Sequence, residues 1–241
     1  MPRPVVGRPP ASRPRAAILM LWAIGLVYLV SGFLSGSLFQ PTLPVLIALG
    51  AKENTLIANG EYWRLIGAMF LHGNLIHIFF NGYALFALGP ETERIYGTGR
   101  FLVLYFLAGI AGSVASYALS PEPSVGASGA IFGLIGALGM FYYLNRAALG
   151  EFGRMQIQSM AAIVMINLII GFSAQGTIDN WGHMGGLVGG VLSALALAPR
   201  LEIDERFTPP VLTRRTIAYD WAGAGAILLG LIGLVLIIPP A

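Results

Sequence analysis

Ser124–Met140, SVGASGAIFGLIGALGM, is the stretch from which the rest of the chain can be read. It is apolar enough to sit in a membrane, and its only polar side chains, Ser124 and Ser128, lie at its start. Gly129, Gly133, Gly136 and Gly139 recur through it. Small residues at such spacing let helix backbones approach closely in lipid. A hydroxyl in the first turn of such a helix is costly unless a partner inside the protein meets it.

Composition supports the membrane setting. Of 241 residues, 56% are hydrophobic and 10% charged, where a soluble domain carries about 25% charged residues. The apolar residues fall in runs of about 20, the length that crosses a bilayer. There is no cysteine, which excludes disulfides, thiolate metal sites and a cysteine nucleophile. The net charge of +3 suits membrane orientation and contact with anionic lipid headgroups, not nucleic acid.

Along the chain, residues 1–15 form a basic Pro- and Arg-rich tail with no apolar periodicity, expected to be disordered. The first apolar run, Ala16 to Leu34, is long for a signal peptide, and no small-x-small cleavage site follows it. Residues 39–71 mix Pro41, Pro44, Lys52, Glu53, Glu61 and Arg64 with apolar residues and the Tyr62-Trp63 pair. That mixture predicts a first loop lying at the membrane interface. Further spans are expected at about Leu75 to Leu88, Phe101 to Leu119, Ser128 to Leu144, Ile157 to Phe172, Trp181 to Leu197 and Tyr219 to Ile238. Gly89-Pro90 is expected to end the second, with Leu71 to Ile76 able to extend it at the other end.

Charge sets the orientation. With the N-terminus cytoplasmic, the inner segments hold Arg3, Arg8, Arg13, Arg15, Arg94, Arg100, Arg146, Arg154, Arg200, Arg206, Arg214 and Arg215. That is twelve of the fourteen basic residues, leaving only Lys52 and Arg64 outside. The positive-inside rule then predicts N-in and C-out.

This orientation brings distant polar residues to one depth. The second, fourth and sixth spans all start at the outer face. They carry His77 and Asn81, Ser128, and His183 in their first turns. His77 and Asn81, spaced i,i+4, share a helix face. So do His183, Gly186 and Gly190, at i, i+3 and i+7. Gly129 and Gly133 form a GxxxG on the serine's helix, which permits the close approach a Ser128–His183 hydrogen bond needs. A serine hydroxyl becomes a useful nucleophile when a base takes its proton; His183 can be that base. Attack on a carbonyl creates an oxyanion, for which His77, Asn81 and the Ser128 backbone N–H are candidate donors. Asp179 reads as a helix cap or loop residue. Other readings stay open: helix–helix hydrogen bonds without chemistry, a metal held by His72, His77 and His183 (though no HExxH is present), or a small-solute transporter, which a polar layer away from the midplane disfavours.

These residues resemble the rhomboid family of intramembrane serine proteases. Gly126-Ala127-Ser128-Gly129 is similar to its GxSG motif, His183 through Gly186 and Gly190 to its HxxGxxxG, and His77 to Asn81 to its HxxxN. Trp63-Arg64 resembles the family's WR pair, and Glu93-Arg94 with Gly97 its ExxxG. The resemblance covers about Trp63 to Leu197. It implies a Ser128–His183 dyad, an oxyanion site at His77 and Asn81, and Phe132 packed against the histidine. It further implies a structural role for Glu93, a polar structural residue at His72, no cofactor, and transmembrane proteins as substrates.

The expected fold is an all-α, six-helix membrane bundle with one extra C-terminal helix, the 6+1 form. It divides into a tail (1–15), a core (16–199), a cytoplasmic linker (200–218) and the extra helix (219–241). Motifs are lacking on that last helix, which is assigned packing. The fifth span and the segment SAQGTIDNW (173–181) are candidates for a gate and cap. The alternative within the family is an inactive protein that binds membrane clients. Arg-over-Lys bias with abundant Ala, Gly and Pro points to a bacterial plasma membrane.

Overall fold

The computed structural model describes residues 5–6, 14–173, 178–208, 210–215 and 220–241. In chain order the elements are β1 (Val5–Val6), α1 (Arg15–Leu34), α2 (Leu43–Leu49), α3 (Asn54–Ala58) and α4 (Arg64–Gly67), which runs into a 3-10 turn (Ala68–Phe70). Then come α5 (Leu75–Tyr96), α6 (Thr98–Leu119), α7 (Ser128–Leu144), α8 (Arg146–Ser173), α9 (Asn180–Leu197), β2 (Arg200–Asp204), β3 (Val211–Arg215) and α10 (Asp220–Ile237). Among the described residues α1, α6 and α8 are each long and apolar enough to cross a membrane. The segment Arg64–Phe70 and α5, bent by 93° at the break between them, qualify as a fourth span if taken together.

α7 is apolar on every side, and such a helix belongs in the middle of a bundle. It is nearly enclosed, with Ala130 to Leu138 all buried. Its main neighbours are α6 and α9, with α8 on a further side. α1 packs on α5, and α10 on α9 and α6. α8 is the most peripheral of the long helices and buries only Gly153 and Gly171. Its opening turn, Arg146 to Leu149, is kinked from the rest at Gly150, where φ is 56°.

The serine's helix has the bounds expected from sequence; its neighbour does not. α5 continues through Pro90 to Tyr96 and stops at Gly97, where φ is 81°. A proline inside a helix loses one hydrogen bond and crowds the preceding turn. Here tertiary contacts outweigh that cost. Gly89 lies against Ala17, Glu93 is fully buried, and the Tyr96 hydroxyl donates to Ala137 O at 2.8 Å. At the other end, Leu71 is extended (ψ 151°) and the chain turns sharply instead of lengthening α5. Asn74 caps the new helix by accepting from His77 N at 2.8 Å.

The chain is also not wholly helical. Part of the expected linker forms β2 and β3, paired antiparallel from Arg200↔Arg215 to Asp204↔Val211. Two residues of the tail expected to be disordered, Val5–Val6, run parallel to β3. Asn145, just past α7, seats this sheet: its Nδ2 donates to Pro199 O at 3.0 Å, and its Oδ1 accepts from Leu201 N at 2.6 Å. Tyr219, expected to open the last span, and 174–177 of the proposed cap lie outside the described residues.

Glu93 joins α1 to α5. α1 starts after Pro14, which offers no side-chain cap, so its first N–H groups need partners from elsewhere. Glu93 supplies them, accepting from Ala16 N at 3.2 Å and Ala17 N at 2.9 Å, and from Thr98 Oγ1 at 2.8 Å. A carboxylate at a helix N-terminus is also favoured by the helix dipole. Glu93→Ala leaves buried donors unpaired, at about 1–3 kcal/mol each. The thermal unfolding midpoint in detergent is expected to fall sharply for Glu93→Ala and less for Glu93→Gln, which keeps an acceptor.

Candidate active site

The segment leading into α7 is held from both sides before the helix starts. Lys52 N donates to Ser124 O at 2.9 Å and Ser124 N to Lys52 O at 3.0 Å, an isolated antiparallel bridge. Gly126 N donates to Ala68 O at 2.9 Å. Gly126 has φ 133°, a conformation that favours glycine. A Cβ there would lie 2.7 Å from His77 Nε2 and 3.6 Å from Ser128 Oγ. Glycine at this position thus keeps open the space between a histidine ring and a serine hydroxyl. Ser128 is the first residue of α7, where backbone N–H groups are free to face a ligand.

The helix carrying His183 reaches this place because glycines remove side chains from the contact. A Cβ on Gly186 would run into Gly129 O, and one on Gly190 into Gly133 O. Gly182 O lies 3.3 Å from the Cβ position of Gly129. The residues next to Ser128 and His183 are therefore in backbone contact. On this base the Phe132 ring, one turn below Ser128, stacks on the His183 ring at 4.3 Å between centroids with a 13° tilt.

His77 and Asn81 share one face of α5, Asn81 buried and His77 half-buried. The His72 ring is fully buried and meets His77 edge-on at 5.0 Å between centroids. His77 and Ser128 thus converge on Gly126, and His183 is fixed by Phe132. Among the described residues no hydrogen bond joins Ser128 to His183, and the buried His183 Nδ1 has no partner. Nor, among them, do three or more His, Asp or Glu side chains gather as a metal site would require.

Asp179 is the N-cap of α9, its Oδ1 accepting from Gly182 N at 2.8 Å. Its Oδ2 also accepts from Ser124 Oγ at 2.6 Å, a link the sequence did not announce. Lys52 was equally unmarked, one basic residue in a mixed loop. It is 1% exposed, and its Nζ donates to Ser120 O at 2.6 Å and Glu122 O at 2.9 Å. Burial lowers its pKa to about 8, against the upward pull of Asp179, Glu53 and Glu122.

Fold and site define a helical integral membrane protein in which separate helices bring a serine and histidines together in an apolar bundle. Residues 59–200 match the model of the Rhomboid domain, and the chain belongs to the rhomboid family. It is 51% identical over 152 residues to Rhomboid protease GluP of Bacillus subtilis (strain 168), covering 63% of this chain and 29% of that protein. It is 33% identical over 179 residues to RHOMBOID-like protein 5 of Arabidopsis thaliana, covering 72% of this chain and 57% of that one. Rhomboid-like protease 3 of Toxoplasma gondii is 34% identical over 181 residues, 75% of this chain and 67% of that protein. The chain thus spans less than a third of the first of these and little over half of the second.

The contact between α7 and α9 can be tested directly. Gly186→Ala sets a methyl group against backbone that cannot rotate away, and overpacking of this kind costs about 1–3 kcal/mol. A lower thermal midpoint in detergent is expected, whereas Gly225→Ala, on open surface of α10, should leave it unchanged.

Proposed function

We propose that the chain is an intramembrane serine endopeptidase that cleaves other membrane proteins in or near their transmembrane segments. The observation that carries this reading is the position of His183: stacked on Phe132 and brought by glycine contacts beside the start of α7, with His77 facing Ser128 across Gly126. The GluP relative from Bacillus is itself named a rhomboid protease, which supports the same class of activity.

In this reading Ser128 Oγ attacks the carbonyl carbon of the scissile peptide while His183 takes the hydroxyl proton. The tetrahedral intermediate carries an oxyanion, stabilised by donors from His77, Asn81 and the Ser128 backbone N–H. The C–N bond then breaks, the departing amine takes the proton from His183, and an ester to Ser128 remains. Water hydrolyses that ester, with His183 again as base. Gly126 and Gly129 hold the serine's approach, Gly186 and Gly190 that of the histidine, and no cofactor enters. We place the site near the outer surface of a bacterial plasma membrane, in a 6+1 bundle with N-in and C-out topology. Residues 16–199 form its core, residues 1–15 and 200–218 lie on the cytoplasmic side, and residues 219–241 form the added helix.

A substrate helix needs a way in from the lipid. α8 is attached mainly to α7, and near its end it exposes Met165, Ile166, Ile169 and Ile170. α5 exposes Phe79, Phe80 and Tyr83 near its start. The side of the bundle between these two helices is the route we assign.

Removing the nucleophile or the base tests the chemistry. Ser128→Ala and His183→Ala are each expected to abolish cleavage of a membrane-anchored reporter and labelling by a fluorophosphonate, at unchanged expression; cleavage persisting in Ser128→Ala excludes the serine mechanism. The absence of native cysteine makes the route testable as well. Bridging Phe80→Cys on α5 to Ile169→Cys on α8 with a bifunctional reagent should stop reporter cleavage and leave fluorophosphonate labelling intact; full cleavage by the bridged protein removes the gate.

A further inference from the structure

The dyad proposed above has no third member among the described residues, where the buried His183 Nδ1 has no partner. Something else must then fix the relation between serine and histidine. The Phe132 ring governs the imidazole plane, but it does not fix the loop on which Ser128 begins. That loop is fixed by a chain of hydrogen bonds behind the site. Ser124, four residues before Ser128, donates its hydroxyl to Asp179 Oδ2 at 2.6 Å. Asp179 Oδ1 accepts from Gly182 N at 2.8 Å, and Asp179 O accepts from His183 N at 3.1 Å. On its other side Ser124 is paired through its backbone with Lys52, whose ammonium also holds Ser120 O and Glu122 O.

We propose that Asp179 is a positioning residue: through Ser124 it fastens the loop that carries Ser128 to the helix that carries His183, and Lys52 anchors the same loop to the segment after α2. The inference rests on the serine–histidine reading of the site. Asp179 lies close to the nucleophile: Ser113, Ser124, Ser128 and Asp179 line one cavity of about 20 Å³. The two bonds to the Asp179 carboxylate, at 2.6 and 2.8 Å, are of the strong kind. They span the two elements whose offset sets the nucleophile–base distance, and an offset of about 1 Å at reacting groups can cost about 100-fold in rate. Glycine at 182 leaves the space this carboxylate occupies: a Cβ there would stand 2.8 Å from Asp179 Oδ2.

The test is the kinetics of the full chain in detergent on a transmembrane reporter. Ser124→Ala cuts the link but keeps the Asp179 cap on α9, so the helix still forms. It is expected to lower kcat about 10-fold with KM changed less than about 2-fold, as for an interaction that matters only in the transition state. Asp179→Ala is expected to lower kcat about 100-fold, since cap and link are both lost. Asp179→Asn, which can accept from Gly182 N and still bond to Ser124, should recover most of that loss. Wild-type kcat in Ser124→Ala overturns the proposal. So does Asp179→Asn as slow as Asp179→Ala, which would make the negative charge, and not the link, the operative feature. If wild-type cleavage itself does not depend on Ser128, the serine–histidine reading falls, a result distinct from failure of the link alone.

Discussion

The structure depends on one contact, the meeting of α7 and α9 at bare backbone. Gly186 lies on Gly129 and Gly190 on Gly133, with no space for a methyl group at either. Lipid gives helices no hydrophobic reason to associate, so such contacts hold by dispersion, which acts only at short range. Gly112 of α6 meets the same place through Gly182 O. Three helices are thereby brought together one residue from both Ser128 and His183. The chemistry is possible there because the backbones meet; longer side chains at these glycines would hold serine and histidine apart.

The local features around Ser128 and His183 were legible in the sequence because they obey helix periodicity. The bounds of α7, the shared face of His77 and Asn81, the glycine rows and the Asp179 cap all follow from local spacing. The long-range features did not. Pro90 reads as a stop, yet α5 continues because Glu93 and Tyr96 beyond it are needed by α1 and α7. The pairing of β2 with β3 was hidden in a polar stretch whose strands are held by distant partners, Asn145 and β1, as well as by each other. Ser124 looked like a residue at the edge of a span. Its partner lies 55 positions away, where no local pattern can point.

Lys52 and Arg64 show why a charge count can mislead in detail. They were the two exceptions in the distribution of basic residues, and both are buried, at 1% and 4% exposure. Neither faces a headgroup. Arg64 donates to Ile47 O and Ala51 O at the end of α2 and pairs with Glu61. Lys52 donates to the carbonyls beyond α6, and Asn54 adds Nδ2 bonds to Tyr117 O and Ser120 O. Helix C-termini leave carbonyls unpaired and carry partial negative charge. Cationic and amide side chains of the first loop satisfy them, which makes that loop a fitted part of the bundle.

The bonds from Ala16 and Ala17 to Glu93 have a bearing on how the chain is built. α1 is made before α5, yet the acceptor that completes its opening turn lies 77 residues further along. Until α5 has been synthesised and has docked, those N–H groups must remain with water at the membrane surface. α1 therefore enters the bilayer as an unfinished element, free to tilt and turn, and its final seat is set by a later helix. Local contacts form early in folding and distant ones late. Docking of α5 thus seats α1 and sets the ends of the first loop in one event.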